Sequence, residues 1–161
     1  MRKTFVSLIT VMLVLGLSIP THAALIDLGG GMIYSTDLDL TWLQDANYAR
    51  TSGYSEDGFM TWDEANTWAT NLVYGGLNGW RLPTFDPDHP NAQQGATLLH
   101  EMGYLIFTEL EALGRDYPDL SPFINVEHYS DSNPPQWIEP WYWTGTKFDA
   151  NHAWRFDLSC G

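Results

Sequence analysis

The side chains best suited to chemistry in this sequence are oxygen donors. Asp86-Pro87-Asp88-His89-Pro90-Asn91 opens with a D-x-D pattern in a polar stretch, where carboxylate and amide oxygens could gather around a hard cation such as calcium. The glycine and distal glutamate of an EF-hand loop are missing, so Asp86, Asp88 and Asn91 stand as a candidate calcium set and no other cofactor is indicated. Zinc has less to hold it: His22, His89, His100, His128 and His152 form no H-x-x-x-H or Cys-His grouping. Acyl-transfer chemistry lacks its G-x-S-x-G, and Cys160 stands near the end of the sequence with no base identified beside it. Gly29-Gly30-Gly31 lacks the Lys-Ser/Thr of a phosphate loop and leads into a strand. The sequence therefore predicts a protein that is not an enzyme.

What remains is aromatic. Trp62, Trp68, Trp80, Trp143 and Trp154 offer flat apolar faces on which a sugar could stack, but burial is the expected role. A buried indole removes about 150–250 Å² from water, a contribution that a chain with one cysteine and no intrachain disulfide needs. For Trp137 and Trp141, among prolines, ligand contact and burial stand level. Arg81 could grip an anion, though pairing with a neighbouring carboxylate is the expected role among so many acids.

The elements that must position these residues follow a leader. Arg2 and Lys3 precede an apolar run from about Phe5 to Ile19, and Thr21-His22-Ala23 offers a small-residue cleavage site, so residues 1–23 are expected to be a signal peptide. Residues 24–161 then make one secreted or periplasmic domain with no membrane span. All 20 acidic residues lie after Ala23 against five bases, a net charge of −15 that argues against nucleic acid and other polyanions.

Strand-prone residues at 24–28, 32–34 and 40–43 flank glycine and aspartate turns and predict a hairpin. Thr61-Trp62-Asp63-Glu64 has the form of a capping box and opens a helix over about 62–73, closed by Gly75-Gly76. A short strand meets Pro83. A second helix is expected over about 97–113, with Leu98, Met102, Leu105, Ile106 and Leu113 on one face. Pro118, Pro122, Pro134, Pro135 and Pro140 then impose irregular loops before two short strands, 141–144 and 153–158.

The order of Thr61-Trp62-x-x-Ala65, Gly75-Gly76-x-x-Gly79-Trp80-Arg81-Leu82-Pro83-Thr84, Tyr142-Trp143-Thr144-Gly145-Thr146 and Ala153-Trp154-x-Phe156 resembles the Lcl C-terminal domain family. The likeness spans about residues 31–158, and Met32-Ile33-Tyr34 through Thr41-Trp42-Leu43-Gln44-Asp45-Ala46-Asn47-Tyr48 looks like the opening of its exported branch. That family is bacterial, was long catalogued as a domain of unknown function, and has a member that closes a collagen-like surface adhesin and binds sulfated glycans. The resemblance implies an α+β, C-type-lectin-like fold: two helices on small twisted antiparallel sheets with long irregular loops. It makes Trp62, Trp80, Arg81, Pro83, Trp143 and Trp154 structural motif positions.

Two departures matter. Family members continue through a glycine turn to one more strand, whereas this sequence stops at Gly161, which implies an open sheet edge prone to association. Calcium-dependent C-type lectins use Glu-Pro-Asn with Trp-Asn-Asp, and here only Glu139-Pro140-Trp141 is similar, leaving Trp137, Glu139 and Trp141 as candidate ligand contacts. Formylglycine-generating enzymes share the fold but act through paired cysteines, which one cysteine does not provide. The expectation is thus a binding module for a cell-surface or envelope glycan or protein, using loops between about 115 and 152. The alternative is a structural component that forms homo-oligomers through an exposed strand or Cys160.

Overall fold

The computed structural model describes residues 25–88, 100–110, 120–126 and 141–158. The chain is α+β, with short helices set against two small antiparallel sheets.

The first sheet is a meander of β1 (Leu25–Gly29), β2 (Met32–Ser35) and β3 (Leu40–Leu43), one strand more than the expected hairpin. Gly30 and Gly31 make the β1–β2 turn with φ of 63° and 79°, the left-handed pair whose twist matches a two-residue hairpin. At the next turn the Ser35 hydroxyl accepts the Leu38 N–H at 3.1 Å. Asp39 takes a φ of 52°, and its carboxylate accepts the Tyr34 hydroxyl at 2.7 Å. Ile33, at the centre of β2, is fully buried.

A single helical turn, α1 (Tyr48–Thr51), precedes α2 (Trp62–Asn71). The capping box is formed in both directions: Thr61 Oγ1 accepts the Glu64 N–H, and Glu64 accepts the Thr61 N–H at 2.9 Å. Ala65 and Ala69, one turn apart, are the buried face of α2. The helix stops two residues before the expected end because Leu72 turns extended, with ψ of 131°.

The second predicted helix is split. Within the described residues, α3 (Glu101–Tyr104) runs directly into a π-helical turn at Leu105–Glu109, closed by the Leu110 N–H on the Leu105 carbonyl at 2.9 Å. Leu105 and Ile106, both placed on the apolar face by the sequence, are buried in this turn.

The second sheet pairs β4 (Trp141–Lys147) with β5 (Ala153–Asp157) around a bulge between Trp143 and Lys147. Ile106 and Leu120 form a core cluster that gathers Phe107, Leu110, Val126, Phe156 and Leu158, tying this sheet to the π turn. Residues 120–126 reach the first sheet: the Ile124 N–H donates to the Gln44 carbonyl at 2.9 Å and the Ala46 N–H to the Ile124 carbonyl at 3.0 Å. The expected leader over 1–23 lies outside the described residues, as does Cys160.

Candidate functional site

Residues 81–85 run beside β4 without joining its ladder. Pro83 has no N–H to give, so contact passes through the Gly145 N–H on the Pro83 carbonyl at 2.8 Å and through the Thr146 hydroxyl, which donates to the Phe85 carbonyl at 2.7 Å. This segment presents Arg81 to α3. Its guanidinium forks onto Glu101 with bonds of 2.8 and 2.7 Å, and the Thr84 N–H donates to the same carboxylate at 2.7 Å. Burial pushes the Glu101 carboxyl up, but the Arg81 and Thr84 hydrogen bonds outweigh it and hold the group below the usual carboxylate range. The carboxylate that occupies Arg81 is thus 20 residues away on another element.

The tryptophans sit differently from the expected core. Among the described residues the buried hydrophobic side chains are alanines and aliphatics, while Trp62, Trp68, Trp80, Trp143 and Trp154 are half-buried. Three of them have a polar anchor. Trp62 Nε1 donates to the Thr144 carbonyl at 2.7 Å, Trp143 Nε1 to Met60 at 2.9 Å and Trp80 Nε1 to Leu77 at 3.2 Å, so each indole bridges a loop or strand carbonyl instead of sinking wholly into the interior. Trp154 packs against Phe85 and Phe148, with centroids 4.7 and 5.4 Å away.

Between these elements lies a cavity of about 460 Å³. Trp42, Trp68, Trp80, Trp141 and Trp143 contribute to its wall, and Leu105, Ile106 and Leu120 line it from the core. One stretch of wall belongs to a continuous row of rings: Tyr54 to Trp68 at 6.1 Å, Trp68 to Tyr48 at 6.4 Å, Tyr48 to Tyr74 at 4.8 Å and Tyr74 to Trp80 at 6.1 Å. Phe59 and Leu77 belong to the same cavity and are exposed, as a mouth requires. Asp39, Asp45, Asp57 and Glu101 also belong to its lining, with Arg81 as the one basic residue among the described lining. Such a volume falls in the range of small-ligand sites, and its mostly apolar wall with a few polar groups has their usual character.

Of the candidate ligand contacts, Trp141 lies on this wall and is 37% exposed, with the Arg155 guanidinium stacked over its ring. Trp137 and Glu139 lie outside the described residues, and so does Asn91 of the candidate calcium set. Asp86 turns inward on its own loop, its Oδ1 accepting the Asp88 N–H at 2.9 Å. Among the described residues no three His, Cys, Asp or Glu side chains are grouped to hold a metal ion, and no helix there is long and apolar enough to cross a membrane.

A second acidic cluster joins the first sheet to the π turn. Ser35 donates to Glu109 at 2.6 Å and Tyr104 to Asp37 at 2.7 Å. Burial, reinforced by the Asp37 charge and opposed by the Ser35 hydroxyl, pushes the Glu109 carboxyl above its ordinary range. Sequence reasoning did not find Asp45, Asp57 or Phe59 as cavity residues. The one signal was an aromatic, Phe59, standing in a polar stretch directly after Asp57-Gly58. The chain matches no protein-family model, no curated protein and no solved structure.

Proposed function

We propose that the protein is an exported, non-enzymatic binding module of the Lcl C-terminal type with a C-type-lectin-like fold, and that part of a cell-surface or envelope glycan or protein enters the Trp-walled cavity. The observation that carries this reading is the cavity itself: about 460 Å³, with five tryptophans on its wall and exposed apolar residues at its mouth. An indole face and a pyranose ring are complementary apolar surfaces, and a hydrophobic protein side chain meets the same wall equally well. The motif order at 61–84 and 142–156 supports the family, and the small antiparallel sheets are compatible with the fold it implies. The net charge of −13 over the whole sequence favours neutral or basic partners over the sulfated glycans bound by a member of the family it resembles.

The test is calorimetric titration of the mature chain with neutral oligosaccharides, alongside capture of envelope proteins, using wild type and Trp68→Ala. Binding lost in the variant supports the cavity. Binding unchanged by it moves the ligand elsewhere, and no binding to either class removes the reading.

One observation favours self-association as a second reading. β1 is an edge strand of the first sheet and carries Ile26 and Leu28 to solvent, 43% and 51% exposed. Light scattering over a concentration series decides it, since a monomer throughout eliminates this reading.

A further inference from the structure

We infer that the group entering the cavity is a small organic cation, an ammonium carried on an apolar body. This rests on the reading of the cavity as the ligand site.

Charge at the wall carries the argument. Arg81, the basic residue of the described lining, is forked onto Glu101, so these two cancel. Asp39, Asp45 and Asp57 are left, and the hydrogen bonds they accept come from neutral donors: the Tyr34 hydroxyl, the Asn47 N–H, and the Phe59 N–H with the Ser55 hydroxyl. Among the described residues no lysine or arginine pairs with any of the three. Asp45 matters most because it is half-buried, whereas Asp39 and Asp57 are exposed and more fully screened.

The rings argue in the same direction. An ammonium within about 6 Å of an indole or phenol centroid is drawn to the ring face. Tyr48, Trp68 and Trp80 belong to one contiguous row at the wall. The protein makes this contact with its own bases, Lys147 lying 4.3 Å from the centroid of the Trp62 ring and Arg155 stacked over Trp141 of the cavity wall. A polyanion would meet carboxylates that no described lysine or arginine pairs with, and a neutral ligand would leave that charge unused. A cation with an apolar body uses both parts of the wall.

Choline and 3,3-dimethyl-1-butanol separate charge from shape, because the two are nearly isosteric and differ in the positive nitrogen. Titrated into the mature chain at low ionic strength, choline is expected to bind about tenfold more tightly, and the preference is expected to shrink in 0.5 M salt. Asp45→Asn keeps an oxygen to accept the Asn47 N–H, and a thermal melt confirms that it folds. In this variant choline affinity is expected to fall about threefold to fivefold with the alcohol unchanged. Equal affinity for the two probes, or a preference unaffected by Asp45→Asn, overturns the inference. If neither probe binds while a neutral oligosaccharide does, the cation is lost and the cavity reading survives. If all three fail, the cavity reading falls with it.

Discussion

Truncating Arg81 to alanine tests whether the Trp80-Arg81-Leu82-Pro83 segment is a clamp between β4 and α3. The Glu101 side chain is 10% exposed and that of Arg81 46%, so the two halves of the pair are unequal. Removing Arg81 leaves a carboxylate almost out of water, held by the Thr84 N–H alone among the partners described. Breaking a fully buried pair from one side costs about 3–5 kcal/mol; with half of Arg81 in solvent and the Thr84 bond retained, about 2–3 kcal/mol is expected. For a chain of this size that is a fall of roughly 8–10 °C in melting temperature at pH 7. The pH dependence is the sharper readout. Because the Glu101 carboxyl is held below its ordinary range, its pairing contributes stability above the unfolded pKa and loses it as the pH falls through the folded one. In Arg81→Ala the burial stays and the main counterweight is gone, so the folded carboxyl binds its proton more tightly than the unfolded one. The deficit against wild type should therefore narrow between pH 7 and pH 5. Circular dichroism melts at both values decide this. A variant within about 2 °C of wild type at pH 7, or a deficit that does not narrow, would refute the clamp and return Arg81 to ligand binding.

Three further outcomes follow from local geometry. Thr61→Ala removes the cap of α2 and is expected to cost about 1 kcal/mol in urea unfolding, with the slope unchanged. Glu109→Gln removes a carboxyl whose pKa is raised by burial, a group that costs stability once ionised; the variant should melt above wild type at pH 7 and the gain should vanish near pH 4, whereas a gain independent of pH argues against the assignment. Gly31→Ala puts a methyl group at a φ of 79° and against the Tyr74 hydroxyl, so about 1–2 kcal/mol is lost and the near-ultraviolet dichroism of the aromatic row should change with it; an unchanged aromatic spectrum would show that Tyr74 is not fixed there.

The parts legible in the sequence were those set by neighbours in the chain. Thr61 and Glu64 are three residues apart, so their reciprocal cap could be read directly, and the alternation along Ala153–Asp157 marked β5. The α+β outline with small antiparallel sheets was the expectation that the family resemblance implied. The π turn was not legible, because one inserted residue at Leu105–Glu109 obeys tertiary packing and leaves the sequence pattern close to helical. The tryptophans show the same limit. Their size predicted burial, but the acceptors that anchor two of them, the Thr144 carbonyl for Trp62 and the Met60 carbonyl for Trp143, lie more than 80 residues away in sequence. Of the ligand and metal candidates, Trp141 reaches the cavity, while Asp86 and Asp88 close their own turn.

The cavity also has an energetic consequence for the domain that surrounds it. The cavity mouth at Phe59 and Leu77 opens to solvent, so the apolar wall stays in contact with water and forgoes the roughly 25 cal/mol that each Å² of buried apolar surface contributes. No disulfide between two of its own cysteines offsets such a loss, because Cys160 is the single cysteine. Water at this open mouth meets tryptophan and leucine faces that gain little from it. A ligand with an apolar body that replaces this water stabilises the fold as it binds, by RT ln(1 + [L]/Kd), or about 2.7 kcal/mol at a hundredfold excess over Kd. Melting temperature is therefore a binding assay for this protein that needs no knowledge of the ligand. Compounds acting through the cavity should raise it in wild type and fail to do so in Trp68→Ala, whereas a compound that raises both equally binds somewhere else.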